Sequence, residues 1–93
     1  MQLQHGKLYN TGVGHASMDA ITTGDHNTAL GSQSLTTLTT GQKNTAVGRN
    51  ASKLLLDSEE NVAIGYEALI NNSTGDYNTA VGSNALYTNT GSH

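Results

Sequence analysis

Apolar positions in this chain alternate with small or polar ones over stretches of only five residues, and those stretches return at a constant interval. They read "NTGVG" from Asn10, "NTALG" from Asn27, "NTAVG" from Asn44, "NVAIG" from Asn61 and "NTAVG" from Asn78, each opening 17 residues after the one before. Period-two alternation is the mark of a strand, whereas a helix wants apolar residues at i, i+3, i+4 and i+7. The Gly in every pentad and the Asn ahead of it also disfavour helix. After each pentad come a small and then a large residue ("ASM", "QSL", "EAL", "NAL"), and a Thr/Asn/Ser/Gly segment closes the unit. Two short strands and two turns fit such a unit.

Fixed self-similarity at this period is the signature of a stacked array in which each unit buries its apolar side against its neighbours. The expected fold is therefore all-β, a parallel β-solenoid or β-roll of about five 17-residue coils, the last one residue short. The coils are residues 10–26, 27–43, 44–60, 61–77 and 78–93, preceded by a lead-in or cap over 1–9.

Stacking in register gives each repeated letter a physical task. Asn10, Asn27, Asn44, Asn61 and Asn78 are placed to form an amide ladder up the stack, where identical positions lie about 4.8 Å apart. Gly14, Gly31, Gly48, Gly65 and Gly82 mark a position needing positive φ or close backbone approach. Val13, Leu30, Val47, Ile64 and Val81 are expected as the buried aliphatic spine. Met18, Leu35, Leu69 and Leu86 add a second spine, which Ser52 breaks. On that reading Gly12, Ala29, Ala46, Ala63 and Ala80 face outward, a surface so small that another chain can approach it closely. The third coil is irregular: "ASKLLLDSEE" brings Leu54, Leu55 and Leu56 and then three acids, either a rebuilt turn with its leucines inward or a hydrophobic contact to a neighbouring chain.

Composition sharpens the picture. Ile, Leu and Val supply 17 of 93 residues, with no Phe, Trp, Pro or Cys, and the net charge is −3. So few apolar residues would suggest disorder if they were not placed periodically. Four basic residues form no stripe, which argues against nucleic acid. Without Cys there is neither a disulfide framework nor a thiolate metal site. No stretch reads as a membrane span, and the polar start "MQLQHGK" does not read as a signal peptide.

The repeat "NTAVG-x-NAL", together with "NVAIGYEAL" from Asn61 to Leu69, resembles the β-roll repeats in head domains of trimeric autotransporter adhesins. The longer 17-residue form looks like repeats in phage tail fibres and bacterial surface proteins. The likeness runs from Asn10 to Leu86. It departs in period, which is shorter in the adhesin heads, and in carrying Thr at the second pentad position of four coils. The resemblance implies a left-handed roll, three chains side by side, and a role in attachment.

Candidate chemistry is sparse. His5, His15, His26 and His93 lack metal-ligand spacing. The turns "GDHN" and "GDYN" suggest calcium, but the same turn reads "GQKN" and "SEEN" in other coils, so no regular ligand column forms. Glycines abound without the strand–loop–helix context that cradles phosphate. No catalytic residue, metal or cofactor is expected, because catalysis needs unlike groups converging on one point.

Taken with the resemblance, the pattern leads us to expect a structural and host- or surface-attachment module of a homotrimeric fibre, on a virion tail or a bacterial surface, not an enzyme and not inserted in a membrane. A cell-surface glycan is the expected partner besides self. The candidate receptor contacts are the variable residues after each pentad: Tyr66 and Glu67 above all, with Arg49, Asn50 and Asn84. A different class also fits. Thr11, Thr28, Thr45 and Thr79 form a column such as an ice-binding β-solenoid uses.

Overall fold

The structure is a computed structural model and describes residues 3–4, 9–72 and 74–88. His5, Lys7, His93 and the closing turn of the last unit lie outside the described residues. Six strands form one sheet in sequence order: β1 (Leu3–Gln4), β2 (Thr11–Val13), β3 (Thr28–Leu30), β4 (Thr45–Val47), β5 (Val62–Ile64) and β6 (Thr79–Val81). Strands β2 to β6 are parallel, and each pairs with the residue 17 positions on: Thr11 with Thr28, Ala29 with Ala46, Val47 with Ile64, Ile64 with Val81. The chain is thus a β-solenoid whose rungs are the sequence repeat. β1 pairs antiparallel with β2, Leu3 opposite Val13 and Gln4 opposite Gly12.

Among the described residues each rung has one strand, not two. Where the pattern predicts a second strand, over the small–large pair, the chain runs through tandem tight turns. In the second rung Ser34 N–H donates to the Gly31 carbonyl and Leu38 N–H to that of Leu35, both at 3.3 Å. The turns rest on left-handed residues at fixed rung positions: Ala16, Gln33, Asn50, Glu67 and Asn84 with φ of 58–62°, and Met18, Leu35, Ser52, Leu69 and Leu86 with φ of 49–54°. A positive φ two residues into a turn usually calls for Gly or Asn. Here the inter-rung bonds, such as Met18 N–H to the Ser34 carbonyl at 3.1 Å, hold side-chain-bearing residues in that conformation.

The interior reverses the expected faces of the strand. Ala29, Ala46 and Ala63 are fully buried, and Gly12 and Ala80 are buried with them. The Val13–Val81 column points outward instead, with Leu30 48%, Ile64 38% and Val81 67% exposed. Inside the coil, Met18, Leu35 and Leu69 come from the turn wall, as do Leu38 and Leu55 from the next corner, and all are buried against the alanines. Large side chains from the turn wall fill the narrow lumen, so the strand wall can contribute no more than a methyl group. The Ala-rich column therefore cannot lie between chains.

In the third rung the 17-residue register holds. Leu55 joins the core, and Leu54 and Leu56 are exposed on either side of it. Ser52 occupies the place that Leu35 and Leu69 fill in the flanking rungs, and its buried hydroxyl has no partner among the described residues.

The Asn ladder forms as the spacing suggests, and it does more than run up the stack. Asn27 Nδ2 donates to Asn10 Oδ1 at 3.0 Å and to the Gly41 carbonyl at 2.9 Å, while its backbone N–H donates to the same Oδ1 at 2.9 Å. Asn44 and Asn61 repeat the arrangement, reaching the carbonyls of Ser58 and Gly75 at 2.8 and 2.9 Å. One buried side chain thus ties its rung to the rung before it and closes its own loop 14 residues later. Asn72 takes the place of Leu38 and Leu55 in the fourth rung, fully buried, and is satisfied by Gly75 N–H and the Gly75 carbonyl.

Glycine at the end of each strand is dictated by contact. A Cβ on Gly48 would lie 2.6 Å from the Gly65 carbonyl oxygen, and φ is +125° there. No other residue tolerates both conditions.

Candidate functional site

Three surfaces come out of this geometry: the outward face of the parallel strands, the corner that follows each glycine and the corner that precedes each strand. On the strand face stand two columns, Thr11, Thr28, Thr45, Val62, Thr79 and Val13, Leu30, Val47, Ile64, Val81, none of them charged. Alternation along each strand puts both columns on the same side, opposite the buried alanines. Five rungs at about 4.8 Å make a strip roughly 24 Å long.

The corner beside it carries the candidate contact residues. His15, Arg49, Tyr66 and Ser83 are exposed there and Ser32 is half-buried, each one rung above the last. Next to them run Ala16, Gln33, Asn50, Glu67 and Asn84. The structure separates these candidates. Tyr66, Arg49 and Asn84 are accessible. Asn50 is buried, and its Nδ2 donates to Glu67 Oε2 at 3.3 Å. Asn50 is therefore a strut under Glu67 rather than a contact residue, and Glu67 is half-buried and held by it. Tyr66 sits one rung above Arg49, an exposed ring and an exposed guanidinium in one column.

The corner at the other end of the strand face holds residues that spacing alone reads as solvated turn. Tyr9, His26, Lys43, Glu60 and Tyr77 occupy one exposed column, all with φ of 57–71°. Tyr9 stacks on His26 with ring centroids 5.2 Å apart, and His26 Nδ1 lies 3.5 Å from Asp25 Oδ1. Higher up, Asp76 Oδ1 accepts the Glu59 N–H at 2.9 Å. The carboxylates of Glu60 first, then Glu59, push the Tyr77 hydroxyl above its ordinary pKa of 10.0, with some burial and Asp76 adding to them. The signal for this column is present in the sequence as the residue before each Asn, but its letters differ in every rung.

No group of three or more His, Cys, Asp or Glu side chains that could hold a metal ion occurs among the described residues. No helix among them is long and apolar enough to cross a membrane. Among the described residues the buried polar side chains are all Asn or Ser. No protein-family model, no curated protein and no solved structure matches the chain.

Proposed function

We propose that this chain is a rod-forming segment of a homotrimeric attachment fibre, of the kind found on phage tails or bacterial surfaces, and not an enzyme. The observation that carries the reading is the outward strand face. It is an uncharged strip bearing Val13, Leu30, Val47, Ile64 and Val81, with charged and aromatic residues along both borders. A contiguous apolar patch with a polar rim is what a protein–protein contact looks like before its partner is added. A thin coil with an alanine-lined strand wall gains most from covering that strip with copies of itself. In this arrangement the strand faces meet near the fibre axis. The Tyr66–Arg49 corner remains outside, where an aromatic ring and a guanidinium suit a cell-surface glycan. Binding per chain would be weak and multiplied by three copies.

Light scattering on the purified chain tests the assembly, with three chains per particle expected. The double variant Leu30→Lys, Ile64→Lys should fall apart into folded monomers. A wild-type monomer at micromolar concentration would end the fibre reading. Glycan-array binding of the trimer, lost in Tyr66→Ala, tests attachment.

A second reading draws on the same face. Thr11, Thr28 and Thr79 are exposed there in a regular column beside the aliphatic one. Such an array suits an ice-binding surface if the chain is monomeric. Thermal hysteresis measured on the chain distinguishes the two, since a face covered by sister chains cannot meet ice.

A further inference from the structure

One stretch of the chain departs from the repeat on its surface. At the corner beyond the turn wall, away from the strand face, the third rung reads "KLLLD" from Lys53 to Asp57. The same places read "DAITT" and "TTLTT" in the first two rungs and "INNST" in the fourth. Leu55 is fully buried, as Leu38 is, and the leucines on either side of it face out, Leu54 41% and Leu56 46% exposed. The segment is firmly held. Thr37 N–H and Oγ1 both donate to the Lys53 carbonyl, at 3.3 and 2.9 Å, and Thr39 N–H donates to that of Leu56 at 2.9 Å. From the other side, Leu54 N–H donates to the Ile70 carbonyl at 3.3 Å. Rungs above and below therefore fix this backbone, and little freedom is left to lose when something covers the leucines.

The charges that flank the leucines select what covers them. Lys53 is half-buried and Asp57 exposed, and neither takes part in an ion pair among the described residues. The segment is thus a cation, two outward leucines and an anion in a line. Such a line is complementary to itself turned end for end: Lys53 meets Asp57 of a second copy, and Leu54 meets its Leu56. A two-fold axis parallel to the stack, passing beside Leu55, produces this contact with the rungs of both copies running the same way. A two-fold axis across the stack would instead set Lys53 against Lys53 and Asp57 against Asp57. With the axis along the stack the neighbouring rungs meet without like charges, Asp19 facing Thr23, Thr36 facing Thr40 and Ile70 facing Thr74.

We infer that the corner from Lys53 to Asp57 is a self-docking surface, at which two copies of this chain pair side by side through an isologous contact. Leu54 and Leu56 of each copy cover those of the other, and two Lys53–Asp57 pairs fix the direction. At an exposed site such pairs contribute orientation more than affinity. The contact is small, so it is weak between single chains and gains where several coils are bundled and engage together. It lies on another wall from the strand face and stands without the lateral assembly proposed above. Where both contacts form, this one joins one fibre to the next.

Sedimentation of the full chain from micromolar to millimolar concentration tests the pairing. The mass should rise in whole multiples of the particle present at the lowest concentration, and the rise should be lost in the double variant Leu54→Ser, Leu56→Ser. Lys53→Asp alone and Asp57→Lys alone should each abolish it too, because each opposes like charges. An equimolar mixture of those two variants should restore it, since each then offers the other opposite charges at both ends. The Leu30→Lys, Ile64→Lys chain should keep the rise, which separates this contact from the one between strand faces. Three results overturn the proposal. One is a wild-type mass that stays constant over the whole range. Another is a rise undiminished in Leu54→Ser, Leu56→Ser with a wild-type circular dichroism spectrum. The third is a mixture of the two folded charge variants that is no heavier than either alone.

Discussion

The two faces of the same five strands have opposite logic. Inward stand alanines and one glycine, so tightly enclosed that Ala29, Ala46 and Ala63 have no exposure at all. Outward stand Val, Leu and Ile, of which Leu30, Ile64 and Val81 are exposed in the single chain. In an ordinary sheet the larger apolar residues go inside, because burial stabilises by roughly 25 cal/mol per Å² of apolar surface. A coil of 17 residues inverts the rule, since its lumen is only wide enough for leucines from one wall. The difference teaches that size at a repeated position reports the room available there, and that the larger column is the one left outside the coil.

Substitutions that exchange the two faces test this most sharply. Ala46→Asp places an unpaired charge in the lumen and should cost about 3–5 kcal/mol, enough to unfold the chain in a urea titration. Asn44→Ala removes the hydrogen bonds that Nδ2 donates to Asn27 Oδ1 and the Ser58 carbonyl and those that Oδ1 accepts from the Asn61 N–H and Nδ2. A loss of about 2–3 kcal/mol in the same titration is expected. Val47→Asp, one residue from Ala46 but on the other face, should change coil stability by less than about 1 kcal/mol. It should nevertheless lower the particle mass seen by light scattering. Should Val47→Asp unfold the chain and Ala46→Asp spare it, the inner and outer faces of the strands would have to be exchanged.

The smallest effect concerns the outer border. Because Glu60 and Glu59 hold the Tyr77 phenol above its ordinary value of 10.0, the fold favours the neutral form. That contribution is complete below pH 10 and fades as pH rises through the raised value. An ultraviolet titration compared with that of Tyr77→Phe should show the Tyr77 phenol ionising above 10.0, and Glu60→Gln should lower its midpoint.

Much of this architecture is legible in the letters. The interval between asparagines sets the rung length and the strand register, because stacking demands that like positions coincide. The glycine column announces a backbone contact that a single methyl would break. The alternation in "NTAVG" shows that the pentad is a strand with two unlike faces, but alternation carries no label for inside. That label depends on what the opposite wall sends into the lumen, and by its letters that wall reads as a second strand. Of its left-handed residues Asn50 and Asn84 are of a type that favours positive φ, but Ala16, Gln33, Glu67, Leu35 and Leu69 do not advertise it in a sequence. The core column Ile21, Leu38, Leu55 recurs at the same interval but is hidden as a pattern, because its fourth member is Asn72. At the candidate site, Tyr66 and Arg49 are legible as variable letters on a regular frame. The burial of Asn50 is not, since it depends on Glu67 one rung away.

The direction of the inter-rung hydrogen bonds has a mechanical consequence. They run along the stack, and the chain enters at one end of it and leaves at the other. Tension applied through the two ends of a single chain therefore peels the outermost rung rather than shearing the sheet as a whole. Each peeled rung frees 17 residues, which extend to about 58 Å. A single coil under load would yield in small, nearly equal steps, lengthening many-fold and taking up work at each one. Laid side by side with its copies the same coil would resist as a bundle, and its compliance would then measure how firmly the outward faces hold together.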